Sequence, residues 1–268
     1  MELNKIYNED CLIGMKEIPD KSVDMILCDL PYGTTANKWD KHIDSILLWE
    51  QYERIIKDDG NIVLTASQPF TTKLINSNIE LFKYTWIWEK DYPTGFAQAN
   101  HRPMKRHEEI VVFSKAATSA GNNNVKAKYN PQDLVVVNKI KRNGSNRGKV
   151  IHEGKIGKEG GFNSTKEYTQ KFTNYPQSII RFGRDKNTIH PTQKPVDLFE
   201  YLIKTYSNEG ETVLDNCMGS GTTAIACINT NRNYIGFELD EEYYETSIKR
   251  INNHVEDKQI DLFEVLDQ

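Results

Sequence analysis

Long apolar runs are missing from this sequence. No stretch approaches the roughly 18 consecutive apolar residues a spanning helix needs, and mean hydropathy is −0.64, so no membrane span is expected. The opening Met1-Glu2-Leu3-Asn4-Lys5 has neither a basic n-region nor an apolar core, and no secretory signal is expected. Cysteine is sparse. Cys11, Cys28, Cys217 and Cys227 lie far apart with no CxxC pair, which offers no zinc framework and fits reduced thiols in a cytoplasmic setting. His42, His101, His107, His152 and His254 are scattered without ligand spacing, so no metal is expected. No internal repeat is present. What remains is a chain of 268 residues, 38% hydrophobic and 27% charged, long enough to bury a core unaided as one α/β domain with or without an insertion.

The formal charge of −4 hides an asymmetry. Between Asn122 and Arg184 stand 13 Lys/Arg against 4 Asp/Glu, leaving 21 basic and 34 acidic residues elsewhere. An acidic body with one basic segment suits a meeting of that segment with a polyanion, although a solvated lysine-bearing loop has the same composition. Tyr129, Phe162, Tyr168, Phe172, Tyr175 and Phe182 are interleaved with the cations. Aromatics among cations suit contact with bases and phosphates, and equally a small local core.

Periodicity divides the chain in three. In 1–115, Val23–Asp29, Asn61–Thr65, Phe82–Trp88 and Glu109–Phe113 read as strands, and Ile43, Ile46, Leu47, Ile55 and Ile56 recur at helical spacing. From 116 to 189 the pattern dissolves into Gly, Asn, Ser and Lys, the mark of an inserted functional segment. In 190–268 regular alternation returns. Val196, Leu198, Phe199, Leu202, Ile203 and Tyr206 form a helical face between Pro195 and Gly210, followed by a strand at Thr212–Asp215 and a helix to about Asn231. A strand at Tyr234–Glu238 and a helix carrying Tyr244, Ile248 and Ile251 complete it. Strand-helix-strand-helix predicts an α/β fold with a doubly wound, mostly parallel, Rossmann-like sheet.

Two motifs carry chemistry. Asp215-Asn216-Cys217-Met218-Gly219-Ser220-Gly221-Thr222-Thr223 is a glycine turn between strand and helix, where bare amides and a positive dipole end favour an anionic ligand group. Glu238, at the end of the next strand, is placed to take ribose hydroxyls; a plain tight turn with a chance glutamate is the alternative. The third Rossmann glycine is absent, and Thr222-Thr223 suits a small carboxylate better than a pyrophosphate, which favours S-adenosylmethionine (SAM) over a dinucleotide. Asp29-Leu30-Pro31-Tyr32-Gly33 ends the first long strand. An exocyclic base amine is a poor nucleophile because its lone pair is delocalised. Asp29 and the Leu30 carbonyl, held by Pro31, can accept its hydrogen bonds, and Tyr32 can stack an extruded base. A common strand-ending turn is the alternative there. Trp39 and Asp40 could line the mouth of such a base pocket.

Together these motifs resemble the SAM-dependent amino-group DNA methyltransferases. Asn8-Glu9-Asp10-Cys11, with Ile18–Asp24, is similar to the lead-in to their catalytic strand, and His190-Pro191-Thr192-Gln193-Lys194-Pro195 to the motif before their cofactor half. Catalytic motif first and cofactor glycines last, with a variable segment between, is similar to the order of the β group. The resemblance implies methyl transfer to adenine N6 in a flipped base, with Asp29, Leu30, Pro31 and Tyr32 catalytic. It implies that Asp29, Gly219, Gly221, Thr222, Thr223, Asp215, Thr192 and Lys194 surround the methionine end of SAM, Glu238 the ribose, and Asp10 and Cys11 the adenine. The basic positions Arg102, Lys105, Arg106, Lys139, Lys141, Arg142 and Arg147 would meet DNA, double-stranded or single-stranded. A homodimer and a cognate restriction endonuclease are the implied partners.

Two departures from the family pattern stand out: Leu30 replaces a proline, and Asn216-Cys217 replace a proline and an aromatic. Cys217 has no histidine near it in sequence, and amine methylation needs no covalent step. N4-cytosine methylation, methylation of RNA or protein, a catalytically silent nucleic-acid binder and a dinucleotide oxidoreductase are the competing functions.

Overall fold

The computed structural model describes residues 1–33, 43–119, 125–142, 150–152, 155–157, 167–185 and 193–266. In it Met25 and Leu27 face one apolar layer while Ile26 and Cys28 face another. That alternation is what a central strand covered by helices on both sides requires. The strands are β1 (Lys5–Tyr7), β2 (Val23–Cys28), β3 (Ile56–Ala66), β4 (Phe82–Thr94), β5 (Lys105–Phe113), β6 (Val135–Arg142), β7 (Val150–His152), β8 (Lys155–Gly157), β9 (Glu167–Thr173), β10 (Ile179–Arg181), β11 (Thr212–Asp215) and β12 (Asn233–Phe237). The helices are α1 (Cys11–Gly14), α2 (Ser45–Ile55), α3 (Phe70–Ser77), α4 (Val196–Tyr206), α5 (Thr222–Asn229) and α6 (Glu241–Leu266). Among the described residues no helix is long and apolar enough to cross a membrane.

Among the described residues eight strands form one sheet in the order β1-β12-β11-β2-β3-β5-β4-β10. Every neighbouring pair is parallel except β3–β5 and β5–β4, so the α/β, mostly parallel expectation holds. Side chains of α1, α2 and α3 fill the layer on one face of the sheet, and those of α4, α5 and α6 the layer on the other. From β11 the chain crosses outward to β12, and from β2 outward to β3. The divide between β11 and β2 is therefore the topological switch point, where such sheets open a crevice beyond the strands' carboxyl ends.

Several local readings need correction. Helix α2 starts where the Asp44 carboxylate accepts hydrogen bonds from the Ile46 and Leu47 amides at 2.9 and 3.1 Å, a side-chain N-cap. It buries Leu48, Trp49, Tyr52 and Ile55. Ile46 is 78% exposed and Leu47 is also outside, so the apolar stripe is set one step later than the isoleucine spacing predicts. The helical run ends before Asp58-Asp59-Gly60, but strand β3 begins directly at Ile56 and runs through those three residues instead of starting at Asn61. Its charged start is half out of the core while Asn61–Ala66 is buried, so solvent on one end tolerates the polar residues. Helix α5 ends at Asn229 rather than Asn231. Helix α3, eight residues long, is too short to declare a period.

The chain folds into two compact units, Met1–Asn130 with Ser178–Gln268, and Pro131–Gln177. The separate unit is narrower than the 116–189 segment. Its β6 and β9 pair antiparallel with Lys139 opposite Gln170 and Lys141 opposite Tyr168, and β7 pairs antiparallel with β8. At the segment's ends, Tyr129 packs on Tyr206 (ring centroids 6.2 Å apart), Phe182 on Tyr201 (5.5 Å), and β10 joins the large sheet beside β4. Phe182 packs against the core, whereas Tyr129, Tyr168 and Tyr175 are exposed.

Candidate active site

Asp29 leaves the carboxyl end of β2 at the switch point, and its carboxylate is crowded with donors. Its Oδ1 accepts from the Thr65 hydroxyl at the end of β3 and from the Tyr32 hydroxyl at 3.0 Å. Its Oδ2 accepts from Lys194 Nζ at 2.5 Å. Leu30 is buried, and Pro31 and Tyr32 are half-buried. The Tyr32 ring lies stacked on Phe70 at 5.0 Å, so one aromatic face is backed by protein. Burial, with Asp29 and Glu108 near, holds the Tyr32 phenol well above its usual range, so it stays a hydrogen-bond donor.

Lys194, expected at the methionine end of SAM, pairs with Asp29, and its carbonyl accepts from Thr222. Its ammonium is buried between Asp29 and Glu108, with Glu108 Oε2 at 3.5 Å, and lies 5.8 Å from the Tyr32 ring centre. The other Glu108 oxygen pairs with Lys90, itself buried and over the Trp88 ring. Burial works to lower the Lys194 pKa, but Asp29 and Glu108 outweigh it and the net shift is upward. Burial likewise pushes Glu108 up, and Lys194 and Lys90 more than reverse it. Thr65, Lys90 and Glu108 went unread in the sequence. The only signal for Glu108 was a charged pair, Glu108-Glu109, running straight into the buried Ile110–Phe113.

The glycine turn adjoins this cluster. Gly221 (φ +79°) caps α5, and a β-carbon there would press on Ile251 and Ser247 of α6. Among the described residues, a β-carbon at Gly219 (φ +52°) would meet only the Cys217 carbonyl within 4 Å, at 3.9 Å. The Gly219 amide donates to Glu238 Oε2 at 2.7 Å, and Asp240 donates its amide to Oε1 at 2.9 Å. Burial raises the Glu238 pKa against those two amides. Asn8 Nδ2 donates to the Glu238 carbonyl at 2.9 Å, fixing the end of β12. Asp10 caps α1 by accepting from the Leu12 amide at 2.8 Å, and Cys11 is buried behind it.

The two threonine hydroxyls are committed to protein. Thr223 donates to Asp215, while Thr222 donates to the Lys194 carbonyl at 3.4 Å and accepts from Arg250 at 3.1 Å. They shape the turn, whose Cys217, Met218, Gly219 and Gly221 amides are likewise bonded within the protein. Arg250 also donates to the Ser220 carbonyl at 2.9 Å and faces Asp185 at 3.5 Å, a clamp on the turn that sequence spacing did not reveal.

Asp215 is fully enclosed, and burial pushes its pKa up to about 6 despite the Thr223 and Cys217 donors. Its ionised form therefore costs stability, on the order of 3 kcal/mol at neutral pH. The cost accrues as pH rises from about 4 to about 6 and is constant above. Asp215→Asn is expected to raise the melting temperature at pH 8 by a few degrees, with the gain vanishing near pH 4 in calorimetric melts. A variant destabilised equally at both pH values would mean that the hydrogen bonds outweigh the charge.

Three thiols meet beside the turn. Asn216 Nδ2 lies 3.6 Å from Cys11 Sγ and 3.5 Å from Cys217 Sγ, and its Oδ1 accepts from the buried Tyr52 hydroxyl at 2.5 Å. Asn216 thus takes up a polar core bond that the family's proline could not make. Burial pushes the Cys28 thiol up to about 12. Cys11 draws the Cys217 thiol down, but Cys28 and burial outweigh it and leave it well above its usual value, unsuited to nucleophilic attack.

Of the basic positions, Arg102 is exposed, Lys105 is half-buried at the start of β5, and Arg106 shares its guanidinium with Glu89 (3.4 Å) and the Lys90 carbonyl (3.3 Å). Lys139 and Lys141 project from β6, exposed, on one face by the two-residue period of a strand. Lys141 borders a shallow hollow with Tyr168, Lys171, Phe172 and Tyr175. Arg142 lies on β6 by its backbone, and its side chain, with Arg147, Thr192, Trp39 and Asp40, lies outside the described residues.

Comparison with known proteins places these features. The family model described as DNA methylase, covering N6 and N4 methyltransferases, matches residues 23–249. The chain is 29% identical over 264 residues to the type II methyltransferase M.BglII of Bacillus subtilis, spanning 91% of this chain and 67% of that protein. It is 27% identical over 268 residues to the DNA adenine methyltransferase YhdJ of Escherichia coli K12, spanning 94% and 83%. The crystal structure of the M1.HpyAVI–SAM complex is similar at a TM-score of 0.57 and 25% identity, covering 92% of this chain and 98% of that one. The cytosine-N4-specific PvuII methyltransferase, 14% identical with a TM-score of 0.63 over 91% and 84%, shares the fold.

Proposed function

The chain belongs to the family of N6- and N4-directed DNA methylases, and from that premise we propose that it methylates the exocyclic N6 of an adenine swung out of duplex DNA, with Asp29 receiving the amine. The observation that carries this reading is the occupancy of the Asp29 carboxylate. An ionised carboxyl offers about four acceptor positions. Among the described residues Thr65, Tyr32 and Lys194 take three, which leaves one on Oδ2 for an amine N–H. The Leu30 carbonyl, on the backbone turned by Pro31, would accept the second N–H. Two such bonds favour a pyramidal nitrogen whose lone pair points out of the ring plane. The carboxylate also favours the positive charge that develops there. The Tyr32 ring, backed by Phe70 and tied through its hydroxyl to Asp29, is the platform for the base.

The turn between β11 and α5 fits SAM. Space opens over Gly219, and Glu238 beside it has lone pairs left after its two backbone bonds, suited to two ribose hydroxyls. Asp10 and Cys11 would border the adenine, and Asp215 would hold the turn on which the methionine end rests. When bound, SAM supplies a methyl on a sulfonium, whose transfer to the amine leaves a neutral thioether and one surplus amine proton. Asp29 stands where that proton departs. The order of motifs, Asp29 before Gly219, follows the β group.

The hairpin of β6 and β9 would meet DNA, because Lys139, Lys141 and the exposed Tyr168 and Tyr175 combine phosphate-binding and stacking groups. Replacing Lys139 and Lys141 with glutamine is expected to weaken DNA binding. It should lower the slope of log K against log salt by up to roughly 2, about 0.9 for each phosphate no longer neutralised. SAM affinity should be unchanged in calorimetry, and a comparable loss of cofactor binding would place these lysines outside a DNA surface.

Sequencing for methylated positions in DNA from a methylation-free host that expresses the chain, with mass identification of the modified nucleoside, tests the whole reading. N6-methyladenine at one recurrent sequence is expected. N4-methylcytosine would transfer the same acceptor pair to the other amine, and unmodified DNA from an expressed, folded protein would refute the reading.

A further inference from the structure

Four buried or half-buried charges alternate in sign from the interior to the crevice: Lys90, Glu108, Lys194, Asp29. Only the last faces the proposed amine. Glu108 Oε2 is buried and receives no hydrogen bond, so its sole favourable contact in the described structure is the Lys194 ammonium at 3.5 Å. A buried oxygen without a donor is costly and is seldom kept unless something else depends on the group. A buried ammonium, in turn, keeps its proton only while anions face it.

We propose that Glu108 is a positioning residue for methyl transfer, braced by Lys90 and holding the Lys194 ammonium against Asp29 so that the amine-binding carboxylate is fixed in place. The inference rests on Asp29 being the amine-binding group. The groups that face Lys194 are Asp29, Glu108 and the Tyr32 ring; those that face Glu108 are Lys194, Lys90 and, at longer range on its own strand, Lys105. Losing the charge of Glu108 leaves Asp29 as the only anion on Lys194 among the described residues, so its proton departs at lower pH. A neutral Lys194 no longer anchors Asp29 Oδ2 as a cation. Asp29 is then without the ion pair that aims it.

The test uses a duplex carrying the methylated site, with rates measured from pH 6 to 10 for the wild type, Glu108→Gln, Glu108→Asp and the charge-balanced pair Lys90→Met with Glu108→Gln. Glu108→Gln is expected to lower kcat about 10-fold, to leave the KM for SAM within about 2-fold, and to bring the alkaline limb, which for the wild type lies above this range, down into its upper end. Glu108→Asp should recover part of kcat. The double variant should regain melting temperature while its rate and its shifted limb persist, because only the balance with Lys90 is restored. Recovery of the rate together with stability, or an alkaline limb that does not move, would overturn the proposal. So would failure of both Gln variants to fold, since that assigns Glu108 to the core. A wild type that methylates no DNA would instead overturn the assignment of Asp29's chemistry.

Discussion

Asp29→Asn is expected to lower methyl transfer to DNA by about 10³-fold or more, while SAM binding falls by far less. Removing one preorganised electrostatic group from a reacting centre costs about 10²–10³ in rate. Here the same change also alters the ion pair with Lys194 and the two bonds to Oδ1. An asparagine can still accept one N–H, so geometry is largely kept and the lost charge dominates. Asp29→Ala should be as inactive and less stable, because Lys194 would keep only Glu108, 3.5 Å away, as its anion. Breaking a buried pair costs about 3–5 kcal/mol, and the partial exposure of Asp29 puts the expected loss at the low end. Transfer of labelled methyl to DNA, calorimetry with SAM and a denaturant melt separate the three quantities. An Asp29→Asn enzyme within about 10-fold of the wild type would remove the carboxylate from the chemistry.

The sheet was legible because its strands are buried on both faces. Val23–Cys28, Val213–Asp215 and Ile62–Ala66 carry no choice of inside and outside, so an apolar run alone marks them. The phase of α2 was not, because Trp49 and Tyr52 bury as much as the isoleucines that suggested the stripe, and the Asp44 cap sets which turn faces in. The β6–β9 hairpin escaped for the opposite reason: Val135, Val136 and Ile140 are exposed on a thin two-stranded unit, so no burial pattern stands behind its alternation. In the site, Asp29, Gly219 and Glu238 were readable from their places at strand ends. Thr65, Glu108 and Lys90 come from strands β3, β5 and β4, distant in sequence, and only pairing in the sheet brings them beside β2. Lys194 was named for the methionine end of SAM, and its pairing with Asp29 and Glu108 went unread. Its motif has no period, and its bond to Asp29 crosses 165 residues.

Lys194→Met decides between those two sets of neighbours. If the ammonium serves mainly the methionine end of SAM, the variant loses cofactor affinity and little stability. If it serves Asp29 and Glu108, the variant keeps most of its SAM affinity and loses about 10²-fold or more in rate together with about 3–5 kcal/mol of stability. The pH dependence follows in sign. Lys194 has a raised folded pKa, so its contribution is complete below about 10.5 and is lost as pH rises through the higher folded value. Glu108 has a lowered one, so its contribution is present above about 4.5 and is lost as pH falls through the lower folded value. Without the ammonium, Glu108 loses one of the two paired cations that hold its pKa down and keeps Lys90, so its folded pKa moves upward. The variant is then relieved by protonation. Its deficit against the wild type should be widest between about pH 7 and 9, narrow towards pH 4, and narrow again where the wild-type lysine deprotonates. Chemical denaturation at three or four pH values reads this directly, and a deficit independent of pH would mean that packing of the lysine stem, rather than its charge, holds Asp29 in place.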